Sequence, residues 1–219
     1  MTWLFAASEL ESFRLTGAVN NYGVATNSSY FDPVFSKASF VCNNVANDAY
    51  ADFPNQTELW VHAYVVLAGY IQNQVFLSLI DSATGTERIQ LQQSGNYQSG
   101  TLALGYWNGS GFTYLTALPI ANNGLHTLDL HIKLDAVVGV VSFYSDGVLI
   151  GSFTGNTSGI ATAFKSLRAV GGGSCPYLSQ MIVGDGAQST VGLRLQTLQP
   201  AAGGNANNWT GGTKHDHGI

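Results

Sequence analysis

Four small groups of residues have side chains that could do chemistry, and each group asks for a different kind. Glu9 and Glu11 alternate as two carboxylates on one strand face would, and glycoside hydrolysis needs a pair of opposed acids about 5 to 9.5 Å apart. Both sit in a loose N-terminal segment, and Asp129 stands alone among Thr127, His131 and Lys133. Nucleophilic catalysis has no better footing: G-x-S-x-G is absent, and Ser110 in NGSG belongs to a hairpin turn rather than a strand-to-helix elbow. His62 and His126 read as hydrogen-bonded core or rim histidines rather than catalytic ones.

His215-Asp216-His217 is the only pattern with metal-ligand spacing, because two imidazoles at i and i+2 of an extended chain project to one side. Two ligands on a glycine-rich tail do not complete a site unless several chains contribute, as on a trimer axis. The alternative is a mobile tail or a chain-to-chain contact. No acid-rich loop offers the six or more oxygens that calcium takes, and no cofactor is expected. Sugar binding has the better candidates: Tyr97, Tyr106, Trp107 and Asn108 put aromatic rings beside an amide on loops or strand ends, although aromatics in β proteins more often fill the core.

These residues need rigid elements under them, and the sequence reads as many short strands. From His126 to Leu134 the even positions are mostly apolar and the odd ones polar, which gives a strand with one wet face. After Asp135 and Ala136, Val137–Ser145 meets Val148–Phe153 across Asp146-Gly147, a dipeptide suited to a type I′ hairpin. Leu59, Val61, Ala63, Val65 and Leu67 line one face of a further strand, with Trp60, His62 and Tyr64 opposite. Val75–Ile80 is apolar on both faces and so central, and Arg88–Gln93 alternates with Ile89 and Leu91 inward. Leu102–Trp107, the NGSG turn and Phe112–Leu115 form a hairpin.

Phe13–Thr16 and Ser39–Cys42 read as early strands, and VANDAYADFPNQ as a surface crossing with room for one helical turn before Pro54. A second helical turn fits Ala161–Leu167. Tyr177–Val183 and Val191–Leu198 close a sandwich of about a dozen strands. The expected organisation is one domain over 1–199 and an extended tail over 200–219 anchored, if at all, by Trp209.

The run H-x-L-x-L followed by V-x-F-Y-x-D-G-V-L-I-G-S-F resembles the centre of concanavalin A-like jelly rolls, the lectin, laminin-G and glucanase group. The resemblance implies an all-β antiparallel sandwich. The E-x-D-x-x-E or E-x-D-x-E pattern of the glucanases is missing, so no enzymatic activity is expected. The wider order of ELWVHAYV, DSATG with IQLQ, the DG hairpin, YLSQMIVGD, GLRLQTLQP and NNWTG is similar to accessory proteins of tailed bacteriophage particles, over roughly Phe5 to Gly212. That implies a structural virion component, either capsid decoration or a tail or fibre piece. It would be made in the host cytoplasm, contact other virion proteins and assemble as a homo-oligomer, with a trimer most natural. A glycan-binding module for host attachment is the alternative.

Composition fits either role. Only 10% of the 219 residues are charged, against about 25% in an ordinary soluble domain. A surface of amides and hydroxyls suits packing in an assembly or binding neutral ligands. The formal net charge of −5 and the lack of a basic run disfavour nucleic acid. No apolar run approaches the roughly 20 residues of a membrane span, and the N-terminus lacks a basic n-region. Cys42 and Cys175 are far apart; Cys42, in a strand, reads as a small buried hydrophobe rather than half of a disulfide.

Overall fold

Asp146 and Gly147 both adopt positive φ, 51° and 79°, the geometry a type I′ turn demands, and they join two antiparallel strands that begin one side of a sandwich. The computed structural model describes residues 2–7, 10–18, 22–26, 29, 31, 38–42, 47–66, 74–94, 101–115, 118–119, 125–172 and 176–194. Among them lie sixteen strands rather than the expected dozen. In chain order they are β1 (Trp3–Ala7), β2 (Arg14–Leu15), β3 (Tyr22–Ala25), β4 (Ser39–Cys42), β5 (Ala49–Gln56), β6 (Glu58–Val66), β7 (Gln74–Asp81) and β8 (Glu87–Ser94). They continue as β9 (Thr101–Trp107), β10 (Phe112–Tyr114), β11 (Leu118–Pro119), β12 (Leu125–Lys133), β13 (Gly139–Ser145), β14 (Val148–Gly155), β15 (Phe164–Ala169) and β16 (Tyr177–Asp185).

Two eight-stranded antiparallel sheets result. The first runs β14-β13-β12-β6-β16-β4-β3, with β1 also paired to β16; the second runs β10-β9-β8-β7-β15-β5-β2, with β11 also paired to β9. Period-two alternation supplies the core between them: Leu59, Val61, Leu128, Leu130, Ile132 and Phe143 from the first sheet meet Leu77, Leu79, Ile89, Leu91, Leu104 and Leu167 from the second. Cys42 is buried in this core.

The N-terminal segment is not loose: Trp3–Ala7 pairs with β16, and Glu11 lies in a short 3-10 turn, Leu10–Ser12. The stretch expected to cross the surface is β5, because Ala49, Ala51 and Phe53 face the core. Pro54 is tolerated there since pairing skips from Asp52↔Ser166 to Gln56↔Phe164, leaving its position outside the ladder. The helical turn expected at Ala161–Leu167 is largely strand β15, in the interior of the second sheet. Val137 and Val138 are not strand but an exposed turn, whose amides both donate to Asp135 Oδ1. Residues 191–194 form a turn and irregular chain instead of a closing strand; 195–198 and the tail after Pro200 lie outside the described residues.

Candidate functional site

Strand pairing across the second sheet lines up one rung of residues that all face away from the core. Arg14 on β2 sits opposite Tyr50 on β5, Tyr50 opposite Arg168 on β15, and Arg168 opposite Ser78 on β7. Ser78 in turn faces Gln90 on β8, Gln90 faces Gly105 on β9, and Gly105 faces Tyr114 on β10. Their chain neighbours Ala51, Leu167, Leu79, Ile89 and Leu104 are core residues, so alternation alone turns the rung outward.

Most of its polar members are held by ion pairs and hydrogen bonds. Arg14 grips Asp52, with Nη2 2.9 Å from Oδ1, and lies 4.3 Å over the Tyr50 ring. Arg168 bridges Asp48, at 2.9 Å, and Glu87. Gln90 Nε2 donates to Glu87 Oε2 at 2.6 Å, and its Oε1 accepts from the Tyr114 hydroxyl at 3.3 Å. Partial burial, and next the charge of Glu87, push that hydroxyl above the ordinary tyrosine range, so it remains a donor. Ser78 Oγ and Arg168 Nε, both buried at mid-rung, have no hydrogen-bond partner among the described residues.

The β9–β10 end of the face is an aromatic shelf. Tyr114 lies against Gly105, where a Cβ would come within 2.7 Å of the ring, so the glycine is the seat for the tyrosine. Trp107 packs edge-on against Phe112, with centroids 5.6 Å apart and 74° between planes. The guanidinium of Arg88 lies 4.9 Å over Trp107. Asn108 holds the turn: its Oδ1 accepts from Ser110 N, Ser110 Oγ and Gly111 N, each at 3.0 Å, while its Nδ2 donates to Thr113 Oγ1 at 2.8 Å. Tyr114 is 44% exposed, and Trp107 and Phe112 are half-buried, a geometry in which an apolar ring face can meet the C–H face of a sugar while nearby amides meet its hydroxyls.

Of the four sugar-site candidates, Trp107 belongs to this shelf and Asn108 to the turn beneath it. Tyr106 points the other way, stacked on Phe153 with centroids 5.4 Å apart and packed against the core. Tyr97 lies outside the described residues, as do Glu9, Cys175, Trp209, His215, Asp216 and His217. Phe112, Tyr114, Arg88 and Gln90 were not singled out from sequence, yet the NGSG turn fixes Trp107 opposite Phe112 and therefore Gly105 opposite Tyr114.

The first sheet has a second polar group on its outer face. The face of β12 expected to be wet is closed: Thr127 and Asp129 are buried, and Asp129 is not alone. His62 Nδ1 lies 2.8 Å from Asp129 Oδ1, Thr190 Oγ1 donates to the same oxygen at 2.7 Å, and neither His62 nor Asp129 is exposed. Residues 186–194 cross this face, from Gly186 against Glu58 to Arg194, 5.3 Å over the Tyr64 ring. Trp60 stacks flat on His131, 4.4 Å between centroids, and His131 meets Glu58 at 3.0 Å. His126 sits at the rim, 2.7 Å from Asp146. With the acid and imidazole sealed in, this group holds a covering segment in place and presents nothing to a substrate.

Neither a protein-family model nor a curated protein sequence matches the chain. Solved structures do. The globular domain of T. cruzi calreticulin superposes with a TM-score of 0.58 at 12% identity, over 84% of this chain and 88% of that one. The fold is a concanavalin A-like jelly roll. A cellulose-induced protein is similar to it at a TM-score of 0.51 and 10% identity, over 80% of this chain and 92% of the other. The binding domain of botulinum neurotoxin DC, solved in complex with SialylT, is similar at 0.54 and 9%, over 90% of this chain. This jelly roll covers 48% of that toxin domain, about half its length. Identities this low establish the shared fold and leave function to the chain's own site.

Proposed function

We propose that this jelly roll is a non-catalytic carbohydrate-binding module whose ligand lies along the outer face of the second sheet. The observation that carries the reading is the shelf of Trp107, Phe112 and Tyr114, next to Gln90 and an outward rung already organised by ion pairs. Preorganisation of this kind lowers the entropic cost of binding. The toxin domain solved with SialylT supports the reading at the level of fold. Non-catalysis fits the state of the acids on the rung: Asp52 is held by Arg14, and Asp48 and Glu87 by Arg168, so none stands ready as a general acid. Titration with glycans selected on an array tests it. Trp107→Ala and Tyr114→Ala each weaken binding by about tenfold or more, whereas undiminished binding by both variants removes the shelf as the site.

A second reading, compatible with the first, is a structural subunit of a tailed-bacteriophage virion that presents the module to host-surface glycans. Exposed apolar side chains on both edges of the first sheet favour it: Val148 and Leu149 on β14, Val24 on β3. Such edges suit contacts with other virion subunits or with copies of this chain, a trimer included. Copurification with intact particles at a stoichiometry set by capsid or tail symmetry is the expected result; a chain found only free of particles contradicts it.

A further inference from the structure

β8 carries one residue more than its partner at the end of the rung. Ile89 pairs with Leu79 and Glu87 with Ile80, which leaves Arg88 as the bulged residue between them. The bulge lies on the β7 side, while the β8–β9 register, with Ile89 opposite Tyr106, brings Arg88 level with Trp107, and the guanidinium lies over the indole.

Three arginines serve this face, and they are not alike. Arg14 is neutralised by Asp52, and Arg168 by Asp48 and Glu87. Among the described residues Arg88 meets no carboxylate: its guanidinium lies over the Trp107 ring, and its Nε is buried with no hydrogen-bond partner. A guanidinium stacked on an aromatic plane keeps its N–H edge for a planar anion, and its fork matches a carboxylate bidentately. Phe112 and Tyr114, beside Trp107, supply the ring surface that a free inorganic anion would not use.

We infer that the saccharide taken by the shelf is an acidic one, a uronate or sialate type of sugar whose carboxylate sits on Arg88 while its ring lies on the adjacent aromatics. This inference rests on the carbohydrate-binding reading and specifies its ligand class. The protein's net charge of −5 gives no long-range pull on such a ligand, so recognition is local, within a Debye length of about 10 Å or less.

The experiment is a glycan array carrying neutral, sulfated and carboxylated glycans, followed by titration of the strongest binder and of two matched pairs: oligogalacturonate with its methyl ester, and sialyllactose with lactose. The expected hits are carboxylated. Within the pair that binds, removing or masking the carboxylate weakens affinity by about tenfold or more. Arg88→Gln reproduces that loss on the acidic probe and spares what affinity the neutral probe has, and Arg88→Lys, which keeps the charge without the fork, falls between. Affinity of the unaltered protein for the acidic probe also declines as salt rises from about 20 mM to about 300 mM. Hits confined to neutral or sulfated glycans, or Arg88→Gln binding the acidic probe undiminished, overturn the inference while leaving the shelf as a sugar site. Absence of any glycan hit, or binding that survives both Trp107→Ala and Tyr114→Ala, overturns the shelf reading itself.

Discussion

His62 and Asp129 are direct cross-strand partners on β6 and β12, and their side chains meet at 2.8 Å with no exposure to solvent. Asp129 Oδ1 accepts from Thr190 as well, while Asp129 Oδ2 and His62 Nε2 are buried with no hydrogen-bond partner among the described residues. The pair therefore ties the covering segment 186–194 to the sheet and is itself incompletely satisfied, so its two members depend on each other. Removing one partner of a buried pair typically costs about 3–5 kcal/mol, because the other is left unpaired. Asp129→Ala is expected to lower unfolding stability by about that amount, and the double variant His62→Leu/Asp129→Leu by less. Urea denaturation of both variants decides it; a double variant less stable than the single one contradicts the coupling.

Gly105 is the seat of Tyr114, so Gly105→Ala is expected to act on binding more than on folding. Its Cβ would come within 2.7 Å of the ring, which can swing away, and alanine costs less backbone entropy than glycine in a strand, so stability changes by about 1 kcal/mol or less. Glycan affinity falls because the shelf loses its most exposed ring. Equal affinity in Gly105→Ala and the parent protein would remove Tyr114 from the site.

Asn108 closes the β9–β10 turn through three accepted hydrogen bonds and one donated. Asn108→Ala is expected to cost about 1–2 kcal/mol locally, to speed hydrogen exchange at the β10 amides and to weaken glycan binding indirectly. Unchanged exchange at Phe112 and Tyr114 would show that the side chain is dispensable to the turn.

Asp81 closes the end of β7. Burial opposes its ionisation, but the Thr84 hydroxyl and the backbone amides of Thr162, Thr84 and Ala83 outweigh that and hold its carboxyl below the ordinary value. A depressed folded-state pKa adds stability that is fully present above the unfolded-state value of about 3.9 and is lost as pH falls through the folded-state value. Stability therefore declines below about pH 4, and Asp81→Asn is expected to flatten that part of the profile while lowering the plateau above it. Parallel profiles for the two proteins between pH 2 and pH 5, a range of about three units centred near the free carboxyl's pKa, would exclude Asp81 as a source of the acid sensitivity.

The architecture was legible wherever alternation was clean and apolar residues were large, as in β6, β8 and β12. It was obscured where a bulge shifted the period. In β15, pairing slips between Phe164 and Ser166, so the inward Phe164 and Leu167 stand three apart and imitate a helix. In β5 the inward positions are mostly alanine, too small to mark a strand. The pairing of His62 with Asp129 joins residues 67 apart, which follows from strand order and not from spacing. The covering segment that dried the outer face of β12 is an irregular stretch with no periodic signature. On the outer face of the second sheet Trp107 was a candidate from sequence only together with Tyr106, which turns inward onto Phe153; Phe112 and Tyr114 needed the register of the hairpin.

Sugar binding at the aromatic end of the second sheet's outer face would be seen in the amide and indole proton–nitrogen correlation spectrum, recorded as the strongest array glycan is added. Shifts are expected at the Trp107 indole N–H and at the amides of Arg88, Gln90, Gly105 and Tyr114, with those of Trp60, His62 and Asp129 unmoved. Shifts gathered on β6 and β12, with the Trp107 indole unchanged at saturating glycan, would contradict it.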